Sequence, residues 1–266
     1  MPQPDFTPAR TIDEVIARLQ NILDAAIQEN SADGIFPALY LVVTEKVKEG
    51  IERGDVFQDN DRMEKLDVIF ANRYLEAYEN HRAGRKTTRS WSLAFQANAR
   101  FRRLLILQLL LLGINAHINL DLGIAAAETA PGLDIDDLEQ DFNTINAILA
   151  SLIDGVKRDL VKLSPRFGGF LRFFQGKEDA LLNFSLRKAR EAAWKFAREL
   201  APADANERKK HIRRRDRATV AIGTLVRFPA PLIRILIWWL KLREEKSIPV
   251  IVNELRVIGQ ANARFK

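Results

Sequence analysis

His117 and Asp121 stand four residues apart in the stretch Asn115-Ala-His-Ile-Asn-Leu-Asp121, and on a helix that spacing puts an imidazole and a carboxylate one turn apart on one face. Such a pair can bind a metal ion between nitrogen and oxygen. Alternatively, the carboxylate can hold the ring in one tautomer, leaving its other nitrogen to work as a general acid or base. Gln108, Asn115 and Asn119 form a second polar stripe on nearly the opposite side of the same helix. Arg73 projects among Leu66, Ile69 and Phe70, where a guanidinium needs a carboxylate, and Asp121 and Asp141 are the candidates. An unpaired polar group in such surroundings costs ~1–3 kcal/mol, so the cluster must be satisfied by other helices, by water or by a bound molecule. Two readings stay open. In one, these residues form an ion-pair and amide network that fixes the register of core helices. In the other they line a pocket, with His117 and Asp121 catalytic and Asn115, Asn119, Arg73, Tyr74 and Asp141 touching a small ligand.

A metal would find few ligands. The chain has three histidines, His81, His117 and His211, and no cysteine. His81 falls at a helix end and His211 in a basic run, which excludes a His-rich zinc site and any thiolate site. What remains is His117 and Asp121 with Asp141 or Glu128, a set suited to a carboxylate-tolerant ion. No Gly-x-Ser-x-Gly, Gly-x-x-x-x-Gly-Lys or Gly-x-Gly-x-x-Gly occurs, so neither a hydrolase elbow nor a phosphate loop has support, and no cofactor is implied.

The elements that position these residues read as helices. With 10 Pro and 13 Gly in 266 residues and 47% hydrophobic side chains, turn punctuation is too sparse for an all-β protein. Thr11-x-x-Glu14 is a capping-box pattern that opens a helix running to about Glu29. A second helix starts near Pro37 and stops at Gly54, a third spans about Asp61 to Arg82, and a long fourth runs from about Thr88 to near Gly123. The middle of that fourth helix is apolar all round, which marks the buried centre of a bundle. A fifth begins at about Asp134 behind an acidic first turn and carries Leu149 and Leu152 toward the core. Gly168, Gly169 and the surrounding phenylalanines form a connector. Further helices are expected at about 177–200, 205–228, 231–241 and 248–259. The expectation is an all-α, single-domain bundle of eight or nine helices around one buried helix, with a flexible segment at 1–10, a helical domain at 11–266 and scope for a basic subdomain at 203–266.

Charge is unevenly spread. Residues 1–150 hold 15 Lys and Arg against 23 Asp and Glu, and residues 151–266 hold 26 against 12, net −8 and +14. Either the second half meets an anionic partner or the two halves complement each other. Seven basic residues crowd 208–217, but no stacking aromatics interleave with them, and sequence-specific nucleic-acid binding has no support. Pro231 to Lys241 is apolar around most of its circumference and contains Trp238 and Trp239. Beside basic residues these could seat an interfacial helix on an anionic membrane; the favoured expectation is that they fill the bundle core or a homodimer contact. The first ten residues lack a basic stretch followed by an apolar one, so a cytoplasmic location is expected. The run Leu104 to Ile114, interrupted by Gln108 and closely followed by polar residues, reads as too short for a membrane span.

Three segments carry a resemblance: Phe36-Pro-Ala-Leu-Tyr40 with Val43-Thr44, Phe70-Ala-Asn-Arg73-Tyr74, and Leu111-Leu-Gly-Ile-Asn115-Ala-His-Ile-Asn-Leu-Asp121-Leu. They are similar to a bacterial all-helical family of unknown function, over most of the chain. The resemblance implies an all-helical fold and carries no catalytic residues with it.

Overall fold

The computed structural model describes residues 6–130, 135–145, 156, 159–168 and 186–262. Among these residues the protein is all-α, with ten α-helices and no strand. The first is α1 (Ile12–Gln28), opened by the Thr11 hydroxyl, which accepts from the Glu14 amide. α2 (Ile35–Arg53) ends at Gly54, whose φ of +77° is the left-handed conformation that glycine adopts without penalty. α3 (Asn60–Arg82) starts from an Asp59 cap. Residues 6–10, expected to be flexible, are held: Ala9 is buried, and the amide of Asn72 exchanges two hydrogen bonds with its backbone.

The long fourth helix of the sequence reading is two helices, α4 (Arg89–Asn98) and α5 (Ile106–Ala116), which pack against each other. The break has no glycine or proline to announce it. It is stabilised by side chains that take over the amides a new helix leaves unbonded: Gln108 accepts from Leu105, and Glu244, 138 residues away, accepts from Ile106. α4 is capped from outside too, since Asp216, the one acid inside the basic run, accepts from the Arg89 and Ser90 amides.

From α5 the chain continues without a break through a single π-helical turn (His117–Asp121) into α6 (Leu122–Thr129). The resulting helix, Ile106–Thr129, has 24 residues and meets the length and apolarity of a membrane-crossing helix, contrary to the expectation that it falls short. Its most apolar stretch is wholly buried by the rest of the chain, as a core helix requires. Two glycines permit that enclosure. A Cβ at Gly113 would sit 2.7 Å from the Phe36 ring, and one at Gly123 would sit 2.8 Å from the Ala193 carbonyl.

Beyond Thr129, a 3-10 turn (Ile135–Leu138) leads into helical residues 139–145. The core positions expected at Leu149 and Leu152, the connector from Gly169 through Phe174 and the helix start at Lys177 lie outside the described residues. α7 (Leu186–Leu200) packs on α6, α8 (Ala205–Arg227) on α4 and α5, and α10 (Ile248–Asn262) on α1 and α2. α9 (Pro231–Lys241) follows a bend of 64° after α8.

Candidate functional site

The two polar stripes of the central helix have different neighbours. On one side Gln108 donates to the Val226 carbonyl and Asn115 to that of Thr219, Asn119 donates to Asn115, and Arg215 donates to the Asn119 carbonyl. Three of these bonds tie α5 and the π turn to α8, and the fourth, between the two asparagine side chains, stays within the central helix, so this stripe serves helix pairing. Asp141 is also engaged elsewhere. It pairs with Arg62 at 2.9 Å and accepts from the Gln58 and Asp59 amides just before α3. Glu128 is exposed at the end of the central helix, and among the described residues no three of His, Asp and Glu converge on one point.

The other stripe is the expected dyad. Asp121 is buried and has both oxygens occupied: Oδ1 by Arg73 Nε at 3.1 Å, Oδ2 by the Trp91 indole N–H at 2.7 Å and by His117 Nδ1 at 3.5 Å. Of the two carboxylates proposed for Arg73, the structure chooses Asp121. As an acceptor set between a guanidinium and two N–H groups, that carboxylate holds the proton of His117 on Nδ1. Nε2 is then the bare nitrogen, and it is buried with no hydrogen-bond partner. The ring is clamped by Phe70, stacked at 3.6 Å between centroids, and by the edge of Tyr40 at 4.5 Å. Burial lowers the His117 pKa below its ordinary value, against the opposing pull of Asp121, so the imidazole is neutral at pH 7.

His117 faces a narrow cavity of about 60 Å³ between α2, α3, the central helix and the start of α7. By the same measure one water needs ~10–15 Å³. The walls are aliphatic and aromatic: Leu39, Val43, Met63, Phe70, Leu110 and Ile118 among others. The cavity reaches Ile145 and Leu186, where the described residues stop. Set into these apolar walls are four polar side chains, and each has a buried atom without a partner: Tyr40 Oη, Asp67 Oδ2, His117 Nε2 and Arg190 Nε. Desolvation moves all four toward their neutral forms. It raises Asp67 to about 7, with Glu64 adding to the effect, lifts Tyr40 well above its ordinary value and lowers Arg190 to about 9. Arg190 donates to the Phe142 carbonyl at 2.7 Å and lies over the Phe142 ring. No carboxylate among the described residues faces it as a salt-bridge partner.

Of the candidate site residues read from the sequence, His117 alone lines this cavity. Asp121 and Arg73 stand behind it, and Tyr74 packs against Phe36 and Tyr40 with its own hydroxyl buried and unpartnered. Asp67 and Arg190 escaped attention, although both left a trace. Asp67 falls in the stripe Met63, Leu66, Phe70, Ala71, Tyr74, and Arg190 in the stripe Leu186, Ala193, Ala197. A charged residue at an inward-facing helical position is the same anomaly that drew notice to Arg73.

Comparison with curated proteins and with solved structures gives no match. A family profile does match, over residues 12–229, and that stretch contains every residue lining the cavity. The chain belongs to that family, a family of unknown function designated DUF5995.

Proposed function

We propose that the protein encloses a small, mostly apolar molecule bearing one acidic group, with His117 placed to exchange a proton with it. The observation that carries this reading is that four polar side chains, each with a buried atom lacking a partner, line one cavity that is otherwise apolar. Each atom left unsatisfied costs ~1–3 kcal/mol, and buried polar groups in proteins are almost always paired. A site with a few converging polar groups on apolar walls is what a small-molecule pocket requires. The charges narrow the ligand class. At neutral pH Arg190, at about 9, is cationic, whereas Asp67, at about 7, is half protonated and His117 is neutral. A buried guanidinium with no carboxylate partner among the described residues calls for an anion, and a carboxylate on a slim aliphatic body satisfies both the arginine and the walls. His117 Nε2 offers the base, and Asp121, held by Arg73 and Trp91, would stabilise the imidazolium formed when it accepts a proton. No serine or threonine lines the cavity among the described residues, so the arrangement supports acid–base work better than a covalent acyl step.

The test is a thermal-shift and calorimetric series with straight-chain monocarboxylic acids and the alcohols of matched length. Acids of a fitting length should raise the melting temperature as their concentration rises, alcohols should do so less, and Arg190→Gln should remove the advantage of the acid. Val43→Phe, which fills the cavity from α2, should abolish both responses. If no acid shifts the transition, or if acids and alcohols behave alike before and after the arginine is replaced, the reading is wrong.

A further inference from the structure

Of the two places expected for Trp238 and Trp239, the bundle core or a dimer contact, the structure excludes the core: both face outward, 64% and 41% exposed. They belong to a second apolar face of α9. Ile233, Ile237, Leu240 and Lys241 point into the bundle, while Leu232 (80% exposed), Ile235 (66%), Trp238, Trp239 and, just past the helix, Leu242 point away from it. At about 100° per residue, this outer set spans about a third of the circumference, opposite the buried set. Arg234 and Arg243 fall on its two edges, and both are exposed. The apolar surface continues across the bend to Leu225 and Phe228 at the end of α8.

Charge surrounds this face with one sign. The groove beside it is lined by Arg100, Arg102, Arg103, Arg227 and Arg234 together with Phe228, and no carboxylate takes part in the lining. On the opposite side the Arg166 guanidinium lies 4.3 Å over the Trp239 ring and donates to the Trp239 carbonyl. Lys241, which the sequence places on the same stripe as Arg234, is drawn inward to Glu244 instead, so the outward cations are all arginines.

We propose that this surface, the outer face of α9 with the adjoining end of α8, seats the protein on an anionic phospholipid bilayer. An interfacial helix needs a wide apolar face, amphipathic tryptophans at headgroup depth and basic side chains whose stems lie along the apolar boundary while their heads reach lipid phosphates. All three are present within one turn of each other. A second copy of the chain is the competing occupant, and charge argues against it. A twofold contact centred here would set each arginine rim against its own image, where like charges repel at short range. A sheet of lipid phosphates neutralises the same rim.

Co-sedimentation with vesicles of phosphatidylcholine and phosphatidylserine in equal parts, against phosphatidylcholine alone, tests this at low salt. The expected result is binding to the mixed vesicles only, with tryptophan emission shifted to the blue and quenched by brominated acyl chains. Added salt should weaken the binding. Arg234→Gln with Arg243→Gln should lower the partition coefficient roughly 30-fold, and Trp238→Ser with Trp239→Ser should remove the quenching. All four positions are exposed, so melting temperatures should hold, which separates lost docking from lost folding. No binding to mixed vesicles, equal binding to neutral ones, or binding untouched by either pair of substitutions overturns the proposal. A dimer that the tryptophan pair dissolves overturns it as well, in favour of the second copy.

Discussion

Asp67 illustrates how a single residue can work against the fold that holds it. In the unfolded chain its carboxyl ionises near 3.8; in the folded protein, buried beneath α2 with one oxygen unpartnered, it ionises at about 7. Between those values the folded state binds the proton more tightly than the unfolded state, so stability falls as pH rises from about 4 to about 7 and stays lowered above that. Three pKa units correspond to roughly 4 kcal/mol. Asp67→Asn, which keeps the shape and removes the charge, is therefore expected to raise the melting temperature at pH 8 and to change it little at pH 4, as read by thermal melts across that range. Equal effects at both ends would mean that Asp67 is not the buried acid described here. His117 has the opposite sign. Its pKa is lowered, so the unfolded chain takes up the extra proton and stability is lost as pH falls below about 6.5. His117→Gln should flatten that acid-side loss without altering the decline that Asp67 causes as pH rises from about 4 to about 7. A residue whose neutral replacement stabilises the fold is one retained for another purpose, such as a ligand.

At the scale of elements, the π turn does what a regular α-helix would not. The π turn at His117–Asp121 rotates the helix that follows relative to α5, while the dyad faces α3 and Asn115 faces α8. The sequence contains both polar stripes, and an ideal 3.6-residue period is enough to separate them. Nothing in it marks the π turn or says that one stripe is consumed by helix pairing, because the partners that Asn115 and Asn119 find outside the central helix, the Thr219 carbonyl and the Arg215 side chain, lie about a hundred residues later. The same limit explains the missed break before α5, whose cap comes from Glu244. Local signals did better: the Thr11 cap and the Gly54 stop were legible because both act within a few residues. The close approach of α2 at Gly113 gives an element-scale prediction. A methyl there would lie 2.7 Å from the Phe36 ring, and Phe36 packs edge-on against His117. Gly113→Ala should cost about 1–3 kcal/mol by overpacking, and Phe36→Leu in the same chain should recover part of it. Denaturant titrations of the two single variants and the double variant would measure that coupling. Strict additivity would place the methyl somewhere other than against Phe36.

For the whole molecule, the family match and the fold have different boundaries. The match ends at residue 229, after α8, and the cavity lies entirely inside it, whereas most of the proposed docking face lies just beyond. The uneven charge of the two halves is partly explained by each reading. Asp216 and Arg215 of the basic run are spent on α4 and Asn119, but among the described residues the arginine-lined groove beside α9 has no acid in its lining. It would be easy to treat everything after residue 229 as an appendage, and the packing argues otherwise. α10 buries Ile248, Ile251, Val252, Leu255 and Ile258 against α1 and α2; a Cβ on Gly259 would come within 3.1 Å of Val42, and Val252 lies equally close to a Cβ on Gly34. α2 contributes Tyr40 and Val43 to the cavity, so α10 braces the wall opposite the central helix. Ile251→Ala, a large-to-small change at a fully buried site, should cost about 2–5 kcal/mol, and a drop of that size lowers the melting temperature by roughly 5–15 °C for a domain of this length. Val257→Ala, on the exposed side of the same helix, should leave it unchanged. A circular-dichroism melt of the two variants decides the matter. If Ile251→Ala melts with the wild type, α10 is dispensable, and the wall that carries Tyr40 must owe its position to α1, α3 and the central helix.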